Sequence, residues 1–407
     1  METFVEALPI WEVILWGFAL AVLLGAIVHK TNFCTMGSVS DWVNMGHTGR
    51  LRAWLFAIAV AMTGVLLLEA LGIVDLGMTM PPYRTPRFAW LRYLLGGLMF
   101  GVGMTLASGC VNKTLVRIGG GNLKSLVVLL VGGIFAYLMT KTDFYHYAFH
   151  IWISPTDIQL EPFGIDNQSM TAILAGLLGR QDAGPFHWIS GGLIVALILF
   201  IVFKSRDFWS RSDNIVGGGA VGLLVLAGWY LTGGPLGQAA IEAASFMTFP
   251  PPGVGVMSFT FVNPMGETLV YLVNPLQVRL ITFGVAILVG VIVGSLLYAL
   301  VTRRFRIEWF VSLKDFWRHV IGGALMGTGG VLAMGCTIGQ GVTGLSTMAL
   351  GSLVAFGSFI LGSALTMKVE YYRMVHGKEA SFGAALVSSL ADLRLLPRNW
   401  RRLENGA

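Results

Sequence analysis

Three cysteines carry the most distinctive chemistry in this chain of 407 residues: Cys34, Cys110 and Cys336. Each lies where a long apolar run meets a short apolar element. An isolated buried cysteine usually acts as a small hydrophobic residue, and a thiol in apolar surroundings stays protonated. A neutral S–H group is a weak, soft hydrogen-bond donor. A line of such thiols would hold a sulfur-containing anion loosely enough to release it, as permeation requires.

Polar residues follow Cys110 directly. Lys113 and Arg117 share one face of a short helix, and Asn112 lies beside them. One interpretation is that these cations attract an anion at a cytoplasmic vestibule. The other is ordinary anchoring by basic residues on the cytoplasmic side of a membrane.

The other short elements also carry polar side chains. Gln340 takes the corresponding place after Cys336 without a charge, while Asn32, Thr260 and Asn263 lie beside the remaining elements. Each could line a path or satisfy loose backbone groups. The candidate substrate contacts are Cys34, Cys110, Cys336, Asn112, Lys113, Thr260 and Gln340.

The composition indicates that lipid surrounds these elements. Hydrophobic residues make up 55% of the chain and charged residues only 12%, against about 25% charged in soluble domains. The net charge of +6 lies in short loops, so it reports orientation and not nucleic-acid binding. We expect no cleavable signal peptide, because the first apolar run lacks a basic leader. No P-loop motif is present, so ATP-driven transport would require another chain.

About nine apolar runs are long enough to cross a bilayer, which takes about 20 residues. They are predicted at 11–29, 51–73, 92–109, 123–140, 187–203, 214–233, 278–301, 319–335 and 346–367. Four pieces are too short to span, and we expect them to be re-entrant half-helices. These lie near 33–46, 111–118, 258–272 and 337–344.

Lysines and arginines concentrate on one side of this arrangement, which makes that side the cytoplasm. The chain then begins outside and ends inside, with a basic cytoplasmic tail at 369–407. The expected location is the inner (plasma) membrane of a bacterium.

An internal repeat relates the two cysteine segments. Residues 94–110 and 320–336 match at eight of seventeen positions with a constant offset of 226, and both end in A-x-G-C. The same offset places Phe33-Cys34 on Phe259-Thr260. Half one is predicted at about 10–141, half two at about 212–368, and a loop with one linking span at about 142–205. Because that single span reverses the starting side, the halves are predicted to be inverted repeats, which place a substrate site at their interface.

Two further features have competing interpretations. Glu69 lies near the outer end of the second span, where a charged residue is functional by default or reaches the membrane interface. His146 and His150 are spaced by four beside Asp143 and would bind a metal if helical. Their aromatic neighbours favour an interfacial segment, so no metal site and no cofactor are predicted.

The F-C-T element at residues 33–35 and the G-C elements at 109–110 and 335–336 resemble the YeeE/YedE family of sulfur-compound membrane proteins. The resemblance covers about residues 10–370. It implies an all-α, hourglass-like inverted repeat, in which cysteines at the waist pass thiosulfate inward by thiol hydrogen bonds. Cys110 and Cys336 match the two G-C cysteines of the family. Thiosulfate transporters of the family have their third cysteine in the second-half F-C position, which is Thr260 here, whereas this chain has Cys34 in the first half.

The expected function is therefore uptake of thiosulfate or a related small anion by a membrane protein that is not an enzyme. A cytosolic sulfur carrier or sulfurtransferase is a plausible partner. One alternative is a membrane sulfur or selenium carrier with a cysteine persulfide, since other family members are linked to selenium metabolism. Another is a channel for neutral solutes.

Overall fold

The computed structural model describes residues 8–179, 184–377 and 380–403, so the predicted tail at 369–407 lies partly outside the described residues. Nearly all regular structure is helical. The first part of the chain forms α1 Leu8–Thr31, α2 Thr35–Met45, α3 Gly49–Ala70, α4 Trp90–Leu106, α5 Val111–Gly119 and α6 Leu123–Lys141. The connecting part forms α7 Ile151–Ile153, α8 Met170–Leu177, α9 Gly184–Phe203 and α10 Arg206–Trp209.

The last part forms α11 Ser212–Gly233, α12 Pro235–Phe246, α13 Val262–Val273, α14 Phe283–Val301, α15 Leu313–Leu332, α16 Leu350–Val375 and α17 Phe382–Asp392. A further short helix at 337–346 has a π-helical middle, Gly339–Gly344. Another π-helical turn is His146–His150, and 3-10 turns are Ser154–Thr156, Glu161–Phe163, Val278–Leu280 and Arg398–Trp400. Two short strands, β1 Arg87–Phe88 and β2 Ile158–Gln159, pair antiparallel.

Eight stretches of the described residues are helical, long and apolar enough to cross a membrane, instead of the nine expected. They are Leu8–Met45, Gly49–Ala70, Trp90–Gly119, Leu123–Lys141, Phe186–Phe203, Ser212–Gly233, Phe283–Val301 and Leu350–Val375. The span predicted at 319–335 forms α15, whose 20 residues are not among the eight. Its first turns carry Lys314, Asp315 and Arg318 and its remainder is rich in glycine, which lowers its hydropathy.

The predicted short elements are helices as expected, with small shifts of their ends. The segments predicted near 33–46, 111–118 and 258–272 form α2, α5 and α13, and the last of these begins four residues late. The 12-residue helix α12 has no counterpart among the predicted elements.

The long helices pack in pairs that join distant parts of the chain. Helix α1 lies parallel to α14, so closely that a Cβ on Gly25 would come within 2.2 Å of the Val291 carbonyl oxygen. Helix α3 lies parallel to α11 in a similar way, with Gly218 against the backbone of Ala53. Helix α4 pairs with α16, and α6 pairs with α15. Small residues at these contacts let the backbones approach closely, as is typical of membrane helices.

At the centre, α4 and α15 cross antiparallel through four glycines. Gly96 lies against Gly329, and Gly103 lies against Gly322, with the added Cβ of each reaching 2.7–2.8 Å from the other's carbonyl oxygen. Any larger residue at these positions would separate the two helices. The crossing therefore fixes the distance between the turns that follow α4 and α15.

Helix α9, which was predicted as the linking span, lies at the periphery. Ile189, Leu193 and Leu197 are exposed by 59–66% and lie four residues apart, so they form one apolar stripe. Such a stripe on a 20-residue helix is the surface expected to face lipid acyl chains.

Candidate functional site

Each of the three cysteines lies at the start of a short helix. Cys34 precedes α2, Cys110 precedes α5, and Cys336 precedes the 337–346 helix. All three are free and buried. Each cysteine carbonyl accepts a hydrogen bond from the amide four residues later, at 2.7–3.0 Å. The thiols are thus held at helix N-termini, where free N–H groups and the helix dipole favour negative charge.

The three turns share one backbone geometry. The residue two positions before each cysteine has a left-handed conformation: Asn32 at φ 51°, Ser108 at φ 59° and Met334 at φ 61°. A left-handed residue commonly ends an α-helix, and here it redirects the chain so that the cysteine begins a new helix. Asparagine tolerates this conformation better than most residues.

The turns before Cys110 and Cys336 agree in further detail. In the first, the Gly109 amide donates to the Met104 carbonyl at 2.8 Å, and in the second the Gly335 amide donates to the Gly330 carbonyl at 2.8 Å. These donors and acceptors are each 226 residues apart. The sequence match between the two segments therefore corresponds to one local structure.

The thiols of Cys34 and Cys110 are close neighbours in the protein interior. The side chain of Thr337, which follows Cys336 in the chain, lies beside the Cys110 thiol. Three short helices therefore meet around this pair of thiols. Two of the helices come from the first part of the chain and one comes from the last part.

Two cations lie within electrostatic range of the Cys34 thiol. Lys113 donates from Nζ to Asn32 Oδ1 at 2.8 Å, so it is held beside the Cys34 turn. Arg50 donates to Asp41 Oδ2 and to the Gly37 carbonyl, both at 2.6 Å. Lys113 was predicted from the sequence as a site residue, whereas Arg50 was not.

Cys336 lies among backbone amides of two short helices. Its Sγ accepts a hydrogen bond from the Gly339 amide at 3.4 Å and also faces the amides of Phe261 and Ile338. Thr260 lies against the same helix, because a Cβ on Gly339 would come within 2.5 Å of Thr260 Oγ1. Thr260, which the 226-residue offset aligns with Cys34, is thus close to the Cys336 turn.

Both polar side-chain atoms of Gln340 form hydrogen bonds within the protein. Its Nε2 donates to the Ala333 carbonyl at 2.7 Å, and its Oε1 accepts from Ser352 Oγ at 2.5 Å. Both bonds are buried and tie the Cys336 turn to α16. This arrangement gives Gln340 a part in positioning Cys336, while a direct contact with substrate stays a prediction.

A cavity of about 430 Å³ reaches this turn, and Val331 and Met334 form part of its wall. Thr260, Asn263 and Glu267 on or before α13 also line the cavity. Arg92 lines it as well, donating from Nε to the Leu332 carbonyl at 2.8 Å and lying 5.1 Å from the Tyr145 ring centroid. The cavity therefore presents a guanidinium and several neutral polar groups near Cys336.

Several buried polar atoms near the cysteines have no hydrogen-bond partner of good geometry among the described residues. They are Thr35 Oγ1, both polar side-chain atoms of Asn112, Thr337 Oγ1 and Trp54 Nε1. Trp54 stacks on Phe33 at a centroid distance of 4.4 Å. Buried polar groups are normally paired, so this concentration needs an explanation. Asn112 was predicted as a site residue, whereas Thr35, Thr337 and Trp54 were not.

Glu69 has a partner that sequence analysis did not identify. Its carboxylate binds Arg84 through two hydrogen bonds of 2.5 and 3.0 Å, and His187 Nε2 lies 3.8 Å away. Arg84 also donates to the Thr347 carbonyl at 2.9 Å, just beyond the 337–346 helix. Glu69 therefore helps to fix that helix and does not reach freely toward the membrane surface.

The histidine pair lies outside this site. His146 and His150 have ring centroids 5.4 Å apart and lie in a π-helical turn of partly exposed residues. Among the described residues, no group of three or more His, Cys, Asp or Glu side chains is placed to hold a metal ion.

Eight candidate membrane-spanning stretches among the described residues define the class: a multi-pass, all-α membrane protein with shorter helices that begin at buried cysteines. The family model described as "Sulphur transport" matches residues 30–365, which include all three cysteine turns. The chain belongs to this sulphur transport family, and the resemblance to the YeeE/YedE family is confirmed.

Two relatives bear the name thiosulfate transporter. The chain is 25% identical over 383 residues to the thiosulfate transporter TsuA of Escherichia coli (strain K12), an alignment that covers 89% of this chain and 96% of the relative. It is 27% identical over 355 residues to the thiosulfate transporter TsuA of Spirochaeta thermophila (strain ATCC 700085 / DSM 6578 / Z-1203), covering 87% and 97%. The family is one of transporters, in agreement with the expected non-enzymatic function.

Proposed function

We propose that this protein carries thiosulfate, or a closely related sulfur-containing anion, across the bacterial inner membrane toward the cytoplasm. The observation that carries the proposal is the meeting of the Cys34 and Cys110 thiols at the N-termini of two half-helices. Soft neutral donors suit a terminal sulfur atom, and the helix N-termini offset the charge of the anion. The names of the two relatives support the choice of substrate.

We further propose that the two parts of the chain are inverted repeats. Gly96 corresponds to Gly322 and Gly103 to Gly329 under the 226-residue offset, yet Gly96 contacts Gly329 and Gly103 contacts Gly322. Such an exchange of partners is the signature of a two-fold axis. Since α4 and α15 cross antiparallel, this axis would lie in the membrane plane, as in other inverted-repeat transporters.

The other helix pairs support the same symmetry. If α1 is equivalent to α11 and α3 to α14, the pairing of α1 with α14 has its counterpart in the pairing of α3 with α11. Likewise, the pairing of α4 with α16 has its counterpart in the pairing of α15 with α6. Every long helix of one half thus packs on a helix of the other half.

In the proposed route, the anion enters the cavity beside Arg92 and Thr260 and passes Cys336. It then reaches the Cys34–Cys110 pair and leaves past Lys113 and Arg50. The excess of lysine and arginine on the Lys113 side makes that side the cytoplasm, with the N-terminus outside and the C-terminus inside. A cytosolic sulfur-accepting protein would receive the anion there.

Uptake of radiolabelled thiosulfate into proteoliposomes tests the proposal. We expect Cys110→Ala to reduce uptake strongly because it removes a donor, Cys34→Ala to reduce it less, and Thr260→Cys to preserve it because a thiol also donates. Thr260→Val, which has the same shape without a donor, should lower it. Normal uptake by both Cys110→Ala and Cys336→Ala would contradict the thiol route.

A second candidate function is a membrane sulfur carrier, which the cations near Cys34 favour because they stabilise a thiolate. In this reaction, a thiolate attacks the outer sulfur of thiosulfate, a new S–S bond forms, and sulfite leaves with the electron pair of the broken S–S bond. Intact-mass analysis after exposure to thiosulfate distinguishes the candidates. A stable added sulfur atom that disappears in Cys34→Ser or Cys110→Ser would favour the carrier.

A further inference from the structure

Unpartnered buried polar atoms concentrate around the three cysteine turns. Thr35 follows Cys34 directly, Asn112 lies two residues after Cys110, and Thr337 lies beside the Cys110 thiol. All three side chains belong to residues that are at most 1% exposed. Elsewhere in the described residues, such atoms are Trp54 Nε1, next to Phe33, and one Asp157 oxygen near the protein periphery. The pattern therefore belongs to the site and is not spread through the fold.

Leaving these groups unpaired is costly. An unsatisfied buried hydrogen-bonding group destabilises a folded protein, whereas replacing it with an apolar group of equal shape is nearly neutral or stabilising. Many nearby hydroxyls are paired: Thr105 Oγ1, for example, donates to the Gly101 carbonyl at 3.1 Å and contacts Ser363 Oγ at 2.8 Å. The unpaired groups are thus poised for a partner that is not part of the chain.

The chemistry of these groups specifies the kind of partner. Two hydroxyls and an amide NH₂ are neutral donors, and the indole N–H of Trp54 is another. Thiols lie among them, and the nearest charges are the cations Lys113 and Arg50. The Asn112 side-chain carbonyl oxygen also lacks a partner and can only accept a hydrogen bond. Because the nearest charges are cations, the donors in this set suit the oxygens of an anion. The set also complements the thiols, which are suited to sulfur.

We propose that Thr35, Asn112 and Thr337 bind the oxygen atoms of the transported sulfur anion while the Cys34 and Cys110 thiols contact its outer sulfur. This inference rests on the proposed function and deepens it by naming the substrate class as sulfur oxyanions. Hydrosulfide, which has no oxygens, would leave the buried donors unpaired and would be rejected. A site built around hydrogen bonds discriminates strongly against an analogue that lacks them.

The test uses the purified full-length protein in detergent. Wild type, Thr35→Val, Thr337→Val and Asn112→Leu are compared by calorimetric titration with thiosulfate, sulfite, sulfate and hydrosulfide. We expect each variant to bind thiosulfate about tenfold or more weakly than wild type, because each loses a hydrogen bond to a charged group. Melting temperatures without substrate should stay equal to wild type or rise, because an unpaired polar group has been removed.

Thr105→Val is the matched control, since it removes a buried hydroxyl that already has partners. It should lower the melting temperature and leave thiosulfate binding unchanged. This combination separates a binding role from a structural one, because a structural role for Thr35 or Thr337 would give the control's pattern.

Two results would overturn the inference. One is unchanged thiosulfate affinity in all three variants together with lower melting temperatures, which would mean that the groups have structural partners such as ordered water. The other is binding of hydrosulfide by wild type without binding of any oxyanion. If wild type takes up thiosulfate and the three variants bind thiosulfate as wild type does, the inference fails and the proposed function stands. If wild type neither takes up thiosulfate nor binds any oxyanion, the inference and the proposed function both fail.

Discussion

The glycine crossing of α4 and α15 allows a quantitative test of how the cysteine turns are held. In Gly96→Ala, the new Cβ would lie 2.5 Å from the Ala333 amide nitrogen, and in Gly329→Ala it would lie 2.7 Å from the Gly96 carbonyl oxygen. Ordinary contact begins at 3.4 Å, so these distances fall short by 3.4 − 2.5 = 0.9 Å and 3.4 − 2.7 = 0.7 Å. Both neighbours are backbone atoms, so no rotamer change relieves the overlap and the helices must move apart.

Overpacking of this kind costs about 1–3 kcal/mol. The gain in helix propensity from glycine to alanine offsets at most about 1 kcal/mol of that cost. We therefore expect both variants to be destabilised relative to wild type. Uptake should also fall, because Cys110 and Cys336 each lie seven residues beyond a crossing glycine, Gly103 and Gly329 respectively.

Gly192→Ala and Gly357→Ala are the matched controls. Both glycines lie within long helices, and an added Cβ would meet no atom within 4 Å. These variants should be as stable as wild type or more stable, so thermal unfolding in detergent should separate the two groups by about 2 kcal/mol. If Gly96→Ala and Gly329→Ala prove as stable as Gly357→Ala, the two helices do not cross in contact at these glycines.

Three charged side chains, Glu69, Lys113 and Asp315, give further predictions. Glu69→Gln should lower the free energy of unfolding by about 1–3 kcal/mol in thermal unfolding, because it leaves the mostly buried Arg84 without its carboxylate; unchanged stability would argue against the pair. Lys113→Gln should raise the KM for thiosulfate uptake more than it lowers the maximal rate, whereas Lys113→Arg should preserve both; equal effects of the two variants would contradict a role for the charge. The Lys124 ammonium lies 2.7 Å from Asp315 and holds the pKa of that carboxyl below its usual range. This ion pair should therefore stabilise the fold fully above about pH 4, and the stabilisation should disappear as the pH falls through the lowered pKa. Asp315→Asn should remove this part of the acid dependence of the melting temperature, and an identical pH profile would refute it.

Hydropathy was enough to predict most of the long membrane-spanning helices. Each of the eight observed spans overlaps one of the predicted apolar runs. The exception was the ninth predicted run, at 319–335, which forms the glycine-rich part of α15. A helix that packs against α4 and α6 through glycines needs little apolar surface of its own.

The candidate site was only partly predictable, because its contacts join distant segments. The cysteines and Lys113 could be identified from their types and positions. Arg50 could not, since only the fold brings its guanidinium to the Gly37 carbonyl beside Cys34. Thr35 and Thr337 escaped notice because threonines are ordinary in membrane helices, and only the absence of partners distinguishes them. A threonine directly after a cysteine in both halves was the one available signal.

The position of Thr260 bears on how the proposed route works electrically. Moving a dianion inward against a typical potential costs about 2.3 kcal/mol per charge per 100 mV, so a deep well at the centre would add to an already unfavourable step. Fixed cations are therefore better placed at the two ends of the proposed route. Arg92 lines the cavity at one end, and Lys113 lies beside the Cys34 turn at the other. Between them, the route needs donors that are neutral, whether sulfur or oxygen carries the proton. A threonine hydroxyl meets that requirement as a thiol does, so a chain with Thr260 in place of a cysteine can retain a continuous line of donors.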